Sequence, residues 1–436
     1  MSYLTLLLCT VGGSHQPIVS AIKELSADRV FFICSENDSA TGRPGSVSQI
    51  TGTGMCIKAN PLDAKPSLPA IPQQAGLQPE QYQVFCAPAD DLDAIYLVCR
   101  NALRTALRDF PGARWVADYT GGTKSMSAAL VLAALEDPAV ELQIVTGNRG
   151  DLIKVRDGSQ YVALANYERI RFERLAAPFR ECWSRFAYSE AEAGFKGIAA
   201  PRDPHLRGRL FAWRDLSRAF AAWDGFDHAT PQTIIQDYAP KLPNSLKEYL
   251  PVLSRLNDTR DTQKRDAARL FDLYRNAERR AAQGRYDDAV ARLYRLWEWS
   301  AQWILKTRCG IDTSDIPADW LPKDMPRSPN SRGKIQTGLF DSWKLVKRKK
   351  SDSIAAHFFM REENTLRNLL ETRNLSILAH GFEPVTHENW APIIAWTENQ
   401  FLPMLLEETR SHGIRELPPQ LPHHDAWPAM AAKEGE

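Results

Sequence analysis

The chain of 436 residues contains no apolar run that approaches the ~18 residues a membrane-spanning helix needs. Met1 to Val11 lacks the basic start and the small-residue cleavage site of a secretory signal, so we expect a buried strand there. The seven cysteines form no Cys-x-x-Cys pair, which argues against a disulfide framework and against a cysteine zinc site. We therefore expect a protein of the reducing cytoplasm without membrane association or a metal site.

The charge of the chain is nearly balanced, at +1 for 54 basic and 53 acidic residues, so the whole molecule does not attract nucleic acid. With 44% hydrophobic and 25% charged residues, the composition is that of a packed globular protein, and the length favours two or three domains. Any contact with RNA would need a local basic patch. The densest patch contains Lys344, Lys347, Arg348, Lys349 and Lys350. A solvated helix end explains this run equally well.

Residues 1–165 alternate apolar runs of strand length with amphipathic stretches, which predicts an α/β, Rossmann-like domain around a parallel sheet. The predicted strands are Leu4 to Val11, Arg29 to Cys34, Trp115 to Tyr119 and Glu141 to Thr146. Helices are expected over residues 91–109 and 126–135, and Asp157-Gly158 predicts the turn of a closing hairpin. The prolines between residues 60 and 80 predict a loop.

Strand patterns fade after residue 165, and segments rich in Arg, Glu, Ala, Leu and Trp predict a mostly α-helical remainder. We expect a helical connector over residues 166–285 and a helical domain over residues 286–436. Pro240, Pro243 and Pro251 predict a break near residues 225–253. The connector contains no motif that indicates a function.

Two glycine-containing turns follow predicted strands, Gly12-Gly13-Ser14 and Thr120-Gly121-Gly122-Thr123-Lys124-Ser125. At the carboxyl ends of parallel strands, they would meet where open α/β sheets bind ligands. Glycine lets the backbone approach a phosphate, a helix start favours anions, and Lys124 adds positive charge. A kinase-like P-loop is a poor match because Thr123 stands where that loop needs glycine, and no G-x-G-x-x-G motif is present. Tight turns without a ligand are the alternative.

The run from Asp118 to Met126, after a strand that ends in Thr10-Val11-Gly12, resembles the CARF domain, the CRISPR-associated Rossmann fold. The resemblance implies a domain that binds a cyclic oligoadenylate made by type III CRISPR complexes, across a homodimer interface. It favours cyclic tetra-adenylate, the commoner family ligand, with cyclic hexa-adenylate as the alternative. The ligand contacts that it implies are Thr10, Gly12, Gly13, Ser14, Gln16, Asn37, Thr120, Gly121, Gly122, Thr123, Lys124, Ser125 and, on the loosest match, Asn148.

A second motif lies near the end of the chain, where Arg373, Asn374 and His380 occur in a segment of helical periodicity. An apolar stripe that includes Leu366 is continued by Arg373 and His380, so these two residues share one helix face. Ionisable residues on a packed face are costly unless they are paired or used. An Arg and a His at this spacing arise about once by chance in such a chain, so a purely structural pair is the alternative.

The string from Arg373 to Gly381 resembles the HEPN ribonuclease motif, in which an Arg, often followed by Asn, precedes a His by a short spacer. Together with the CARF-like turn, it makes the chain resemble the CRISPR-associated CARF/HEPN ribonucleases, secondary effectors of type III immunity. The resemblance implies cleavage of single-stranded RNA without a metal or other cofactor, leaving 2′,3′-cyclic phosphate and 5′-hydroxyl ends. The active site would combine Arg373 and His380 of both protomers of a homodimer.

The residue types suit this chemistry. His380 would act as general acid or base because imidazole titrates near neutral pH. Arg373 would hold the phosphate oxygens, and Asn374 would position a phosphate or the histidine. A non-catalytic module that binds RNA or protein under the control of the sensor domain is the alternative, and it would not need Arg373 or His380.

Overall fold

The computed structural model divides the chain into two compact units, Met1–Arg171 and Phe172–Glu436. It describes residues 4–39, 42, 44–51, 68–147, 161–317, 320–321, 329, 331–375 and 381–423, and it describes only the backbone of residues 241 and 371–375. Every described strand lies in the first unit, so the expected α/β part followed by a mostly helical part is confirmed. The domain boundaries at residues 165 and 285 stay predictions.

The first unit contains a six-stranded sheet in the order β3-β2-β1-β4-β5-β6, in which β6 alone pairs antiparallel. The strands are β1 (Thr5–Thr10), β2 (Arg29–Ser35), β3 (Tyr82–Ala87), β4 (Arg114–Asp118), β5 (Val140–Thr146) and β6 (Tyr161–Leu164). The described helices are α1 (Gln16–Leu25), α2 (Ser48–Thr51), α3 (Ile71–Ala75), α4 (Leu92–Asp109) and α5 (Lys124–Ala134). The four predicted strands are confirmed, β3 was not expected, and Asp157-Gly158 lies outside the described residues.

The central strands are apolar between their ends because both faces of the sheet are covered. Successive side chains of a strand point to opposite faces, so each strand supplies two separate cores. Leu6 and Leu8 of β1 belong to the core that includes residues of α4 and α5. Leu7 and Cys9 belong to the core on the other face, with residues of α1 and α3. The result is a sheet between two layers of helices, with its central strands buried.

The second unit is helical in its described part. Its helices are α6 (Glu168–Glu181), α7 (Tyr188–Gly197), α8 (Pro204–Asp224), α9 (Ala229–Tyr238), α10 (Asn244–Lys247), α11 (Tyr249–Leu256), α12 (Thr262–Ala282), α13 (Tyr286–Cys309), α14 (Leu339–Lys349), α15 (Ile354–Leu375), α16 (His387–Trp396) and α17 (Leu402–Thr409). The helices are interrupted where a break or connector was expected, near residues 225–253, because only the short helices α9 to α11 lie between α8 and α12. Pro243 is the N-cap of α10, and Pro251 lies in the first turn of α11, where a missing N–H breaks no helical hydrogen bond. Within the described ranges, no helix has the length and apolar character needed to cross a membrane.

A buried network of charged and polar groups joins α8 to α12 in this unit. The guanidinium of Arg279, only 1% exposed, donates from Nε to Asp224 Oδ1 at 2.7 Å. The Asn276 amide donates to the same carboxylate oxygen at 2.8 Å, and Arg280 pairs with the other oxygen. A carboxylate this enclosed is stable only because several donors surround it.

The segment over residues 414–423, which we call the strap, crosses helices that are far apart in the chain. Its backbone accepts hydrogen bonds from Tyr188 Oη, at Pro422, and from Tyr249 Oη, at Gln420, at 2.6 and 2.8 Å. The side chain of Gln420 accepts from Arg279 Nη1 at 2.8 Å, and Leu421 is buried. The strap therefore holds the start of α7, the start of α11 and the last turn of α12 together.

Candidate functional site

The two glycine-containing turns of the first unit lie side by side. They follow β1 and β4, which are neighbours at the centre of the sheet, with Cys9 paired to Asp118 in register. The strand order reverses between these two strands, and ligands of open α/β sheets bind in the crevice outside such a point. The structure thus brings together the two turns that the sequence predicted as a ligand site.

The glycines of these turns are required by contact between the turns. A Cβ on Gly12 would lie 2.5 Å from the backbone nitrogen of Gly122, and one on Gly121 would lie 2.3 Å from the carbonyl oxygen of Thr10. Gly122 itself has a φ of +85°, which disfavours any other residue. The Thr10 hydroxyl donates to the Gly121 carbonyl at 2.6 Å and fixes the pair of turns.

Asp118, at the end of β4, stabilises the second turn through hydrogen bonds. Its carboxylate accepts the backbone N–H of Thr120 on one oxygen and the Gln143 amide on the other, both at 2.9 Å. Asp118 and Gln143 are both buried, and burial raises the pKa of the Asp118 carboxyl above its usual value, although both hydrogen bonds act in the opposite direction. The Thr120 hydroxyl accepts the Val145 N–H at 2.7 Å. These contacts tie the turn to the neighbouring strand β5.

Thr123 begins α5 as its N-cap. Its hydroxyl accepts the Met126 N–H at 3.2 Å and donates to the Ala89 carbonyl at 2.6 Å. Lys124 is the first residue of the helix and is exposed, and Ser125 beside it is half-buried. The threonine hydroxyls are thus engaged within the protein, whereas the Lys124 ammonium lies at the surface beside a helix start, where anions are favoured.

The first turn and the end of β2 present further polar groups. Gly13, Ser14 and Gln16 are exposed, and the amide of the buried Gln49 donates to the Gly12 carbonyl. Asn37, after β2, is exposed and accepts the Gly45 N–H at 2.8 Å. Asn148 lies outside the described residues. The predicted ligand contacts within the described ranges therefore form one edge of the sheet, and their binding role stays a prediction.

Asp118 and Gln49 belong to this site, but the sequence pattern does not predict either as a functional residue. Asp118 was noticed only as part of the glycine-containing run, because its partner Gln143 lies on another strand. Gln49 lies in the four-residue helix α2, and its amide reaches the first turn over 37 residues. The sequence feature that could have indicated a role for Asp118 is an acidic residue at the end of an apolar strand.

The second motif lies at the end of α15. Arg373 and Asn374 belong to the last turn of this helix, and position 373 follows the fully buried Leu366 by two turns, on the packed face. The side chains of Arg373 and Asn374 and all of His380 lie outside the described residues. Their mutual geometry therefore stays a prediction.

The chain that follows the motif is anchored to the start of α13. The Val385 N–H donates to both carboxylate oxygens of Asp287 at 3.2 Å. The rings of Tyr286 and His387 pack edge to face with their centroids 5.8 Å apart. These contacts fix the direction of the backbone shortly after His380 and hold the start of α16 beside α13.

Comparisons with known proteins found a family match in the helical part of the chain and a solved structure that aligns with nearly the whole chain. Residues 258–400 match the family described as the Csm6 HEPN domain, a span that includes α12 to α16. The solved Enterococcus italicus Csm6, bound to cyclic hexa-2′-fluoro-hexa-dAMP, is 13% identical and aligns over 94% of this chain and 95% of its own, with a TM-score of 0.59. At that identity the likeness shows a shared fold. No curated protein sequence matches the chain.

Two further solved structures align with about half of the chain. A type III CRISPR defence DNA nuclease activated by cyclic oligoadenylate is 15% identical over 53% of this chain and 35% of its own, with a TM-score of 0.24. Can2 from Sulfobacillus thermosulfidooxidans, in complex with cyclic tetra-adenylate, is 13% identical over 55% of this chain and 70% of its own, with a TM-score of 0.23. At these scores neither structure establishes a common fold.

Proposed function

We propose that the chain is a CARF/HEPN protein of type III CRISPR systems, as its motifs predict, and that it is a ribonuclease switched on by a cyclic oligoadenylate. The observation that carries the proposal is the HEPN match over residues 258–400, which contains the Arg373, Asn374 and His380 motif. A sensor fold on the same chain supplies the regulation. We further propose that it acts in the cytoplasm as a homodimer on single-stranded RNA.

The proposed reaction uses the nucleophile that RNA carries. The 2′-oxygen attacks the adjacent phosphorus, a bond to the 5′-oxygen of the next nucleotide breaks, and a 2′,3′-cyclic phosphate and a 5′-hydroxyl remain. The 2′-hydroxyl gives its proton to a base and the 5′-oxygen takes one from an acid. His380 is suited to these transfers because imidazole titrates near neutral pH.

Arg373 and Asn374 supply the remaining chemistry in this scheme. Negative charge grows on the phosphate oxygens as the phosphorus is attacked, and the planar guanidinium of Arg373 can hold two of them. Asn374 would orient the phosphate or His380. In the homodimer that the resemblance implies, the motifs of two protomers would combine into one site.

The activator is proposed to bind at the crevice formed by the turns after β1 and β4. Each adenylate contributes a phosphate, and the start of α5 with Lys124 offers a positive end and an ammonium group. Exposed Ser14, Gln16 and Asn37 lie on the same edge of the sheet. Cyclic tetra-adenylate was the ring favoured from the sequence, whereas the Csm6 of shared fold was solved with a cyclic hexa-adenylate analogue. Both rings therefore belong in the test.

The test uses the full chain with a fluorogenic single-stranded RNA and each ring in turn. We expect cleavage with only one of the two rings, and we expect that cleavage to persist in EDTA. Arg373→Ala and His380→Ala should each abolish cleavage while activator binding remains. Arg367→Ala and His357→Ala on the same helix are the matched controls, because both side chains are exposed. Cleavage that survives both motif substitutions would remove the enzyme assignment. Activator binding without any cleavage would favour the non-catalytic RNA- or protein-binding module.

A further inference from the structure

The ends of α13 and α14 carry lysines that the proposed cleavage site does not use. Lys306 lies in the last turn of α13, and Lys349 and Lys350 lie at the end of α14. The two helices pack together, with Trp343 Nε1 of α14 donating to the Trp297 carbonyl of α13 at 3.0 Å, and Lys349 and Lys350 both act electrostatically on the Cys309 thiol that ends α13. We call Lys306, Lys349, Lys350 and the nearby Trp320 the cationic surface.

The lysines of the cationic surface differ from the basic residues around them in their ion pairing. Lys344 pairs with Asp341 and Lys347 with Glu363, at 3.4 and 3.6 Å. Within the described part of the chain, by contrast, no carboxylate pairs with Lys306, Lys349 or Lys350, and all three are exposed.

Two structural features reduce the positive charge of the cationic surface without cancelling it. The carboxyl ends of two helices contribute roughly half a negative charge each. Asp312 interacts electrostatically with Lys306, and its carboxylate is already engaged by the N–H and hydroxyl of Ser314. Three unpaired ammonium groups against these partial charges leave a positive surface on a chain of nearly zero net charge.

An aromatic ring lies among these lysines. Trp320 is 39% exposed, and the Lys349 ammonium lies 5.8 Å from the centroid of its ring. An exposed indole offers a flat face on which a nucleobase can stack, and such stacking does not depend on base identity. Cations beside an exposed aromatic ring are the combination found on surfaces that bind single strands.

A cavity of about 420 Å³ adjoins the cationic surface and includes Lys306 in its lining. Trp299, Thr313, Gln336 and Thr337 line it too, so it offers an indole, two hydroxyls and an amide. Its other charged groups are Arg295 and the carboxylates of Asp266, Glu298 and Asp312, so the cavity suits a nucleobase rather than a phosphate. Hydroxyl and amide groups can donate and accept hydrogen bonds, as the edges of nucleobases require. The volume falls within the usual range of small-molecule sites.

We propose that the cationic surface, with this cavity, docks single-stranded RNA away from the cleavage motif, an inference that rests on the proposed ribonuclease function. RNA fits better than an anionic membrane because the surface combines charge with an indole and a polar cavity. Asp287 holds the chain that follows the motif, and Lys306 lies 19 residues further along α13, about 28 Å at 1.5 Å per residue. Only a long RNA can reach both places.

The test compares Lys349→Ala/Lys350→Ala and Trp320→Ala with Lys344→Ala/Lys347→Ala, whose lysines are ion-paired. For a long RNA, we expect the first two variants to raise KM about tenfold with kcat unchanged, whereas a short reporter should be cleaved as before. RNA binding, measured by fluorescence anisotropy in His380→Ala protein, should lose about 1.4 from its logarithmic salt slope when the two lysines are removed.

The outcomes separate this inference from the proposed function. Unchanged KM and salt slope in a chain that cleaves RNA would overturn the docking site and leave the ribonuclease intact. A chain that cleaves nothing would refute the ribonuclease, while the salt slope would still report on docking. Binding to vesicles of anionic phospholipid that disappears in Lys349→Ala/Lys350→Ala, with RNA binding unchanged, would assign the surface to a membrane and overturn the inference.

Discussion

Replacing Asp118 should loosen the turn after β4 and weaken the first unit. Its carboxylate holds the Thr120 N–H and the Gln143 amide, and the carbonyl oxygen of Gln143 has no partner among the described residues. Hydrogen bonds to a charged group contribute about 1.5–3 kcal/mol each, and Asp118→Ala removes two. Because the substitution also ends the burial of a charge, we expect a net loss of about 2–3 kcal/mol.

Asp118→Asn should be far milder, since its new amide keeps the shape of the carboxylate. The carbonyl half can still accept from Thr120, and the Gln143 amide can turn over so that its unpartnered oxygen accepts from the new NH₂ group. We expect a loss below about 1 kcal/mol at neutral pH. The pair of variants therefore separates the hydrogen-bonding role of the side chain from its charge.

The pH dependence follows from the raised pKa of Asp118. Burial places the folded pKa above the unfolded value, so folding favours the protonated carboxyl. That contribution is fully present below about pH 3.9 and is lost as the pH rises through the folded pKa. The stability of Asp118→Asn relative to the unchanged chain should therefore increase from about pH 4 towards neutral pH.

The assay is hydrogen exchange on peptides from β4 and β5, corrected for the intrinsic effect of pH, together with the activator concentration at half-maximal cleavage. Asp118→Ala should lose protection in both strands and need more activator. Protection equal to that of the unchanged chain, with no pH trend for Asp118→Asn, would show that the carboxylate does not hold this turn.

Two further substitutions test the site and the helical core. Lys124→Ala should raise the half-maximal activator concentration about tenfold through the loss of one cation at the phosphates, whereas Lys23→Ala, at an exposed position, should not. Equal activator concentrations for the two variants would place the ligand elsewhere. Asp224→Ala leaves Arg279 buried without its carboxylate and should lower the free energy of unfolding in urea by about 3–5 kcal/mol. Asp237→Ala, at an exposed position, should lower it by under about 0.5 kcal/mol. Similar unfolding midpoints for the two variants would show that the network is not stabilising.

The strands that could be predicted from the sequence are those buried on both faces. β1, β2 and β4 are marked by apolar runs and β5 by the apolar residues around Glu141 and Gln143, because the fold covers both sides of these strands. β3 lies at the edge of the sheet, and its side chains are mostly half-buried, so its sequence shows neither a continuous run nor a clean alternation. The prolines near residues 240–251 indicated an interruption of the helices but not the short helices α10 and α11, since a proline that starts a helix and one that ends it look alike locally.

The location of the candidate site could be predicted from the sequence, whereas the structural role of its glycines could not. Two glycine-containing turns after buried strands indicated which edge of the sheet carries the site. The sequence pattern predicts that their glycines contact phosphate, whereas the structure shows Gly12 and Gly121 packed against the opposite turn. That reason depends on a neighbour 111 residues away, as between Thr10 and Gly121, and no local pattern contains it.

The strap has a consequence for the timing of synthesis. The hydroxyl of Tyr188 donates to the carbonyl of Pro422, 234 residues later in the chain, and Arg279 donates to Gln420, 141 residues later. At about 5–20 residues per second, a ribosome needs about 10–50 s to cover the longer interval. During that time, helices α7 to α12 have left or are leaving the ribosome without the segment that joins them. The helical unit therefore reaches its final packing only after translation of the strap, and any nuclease activity that it has begins no earlier.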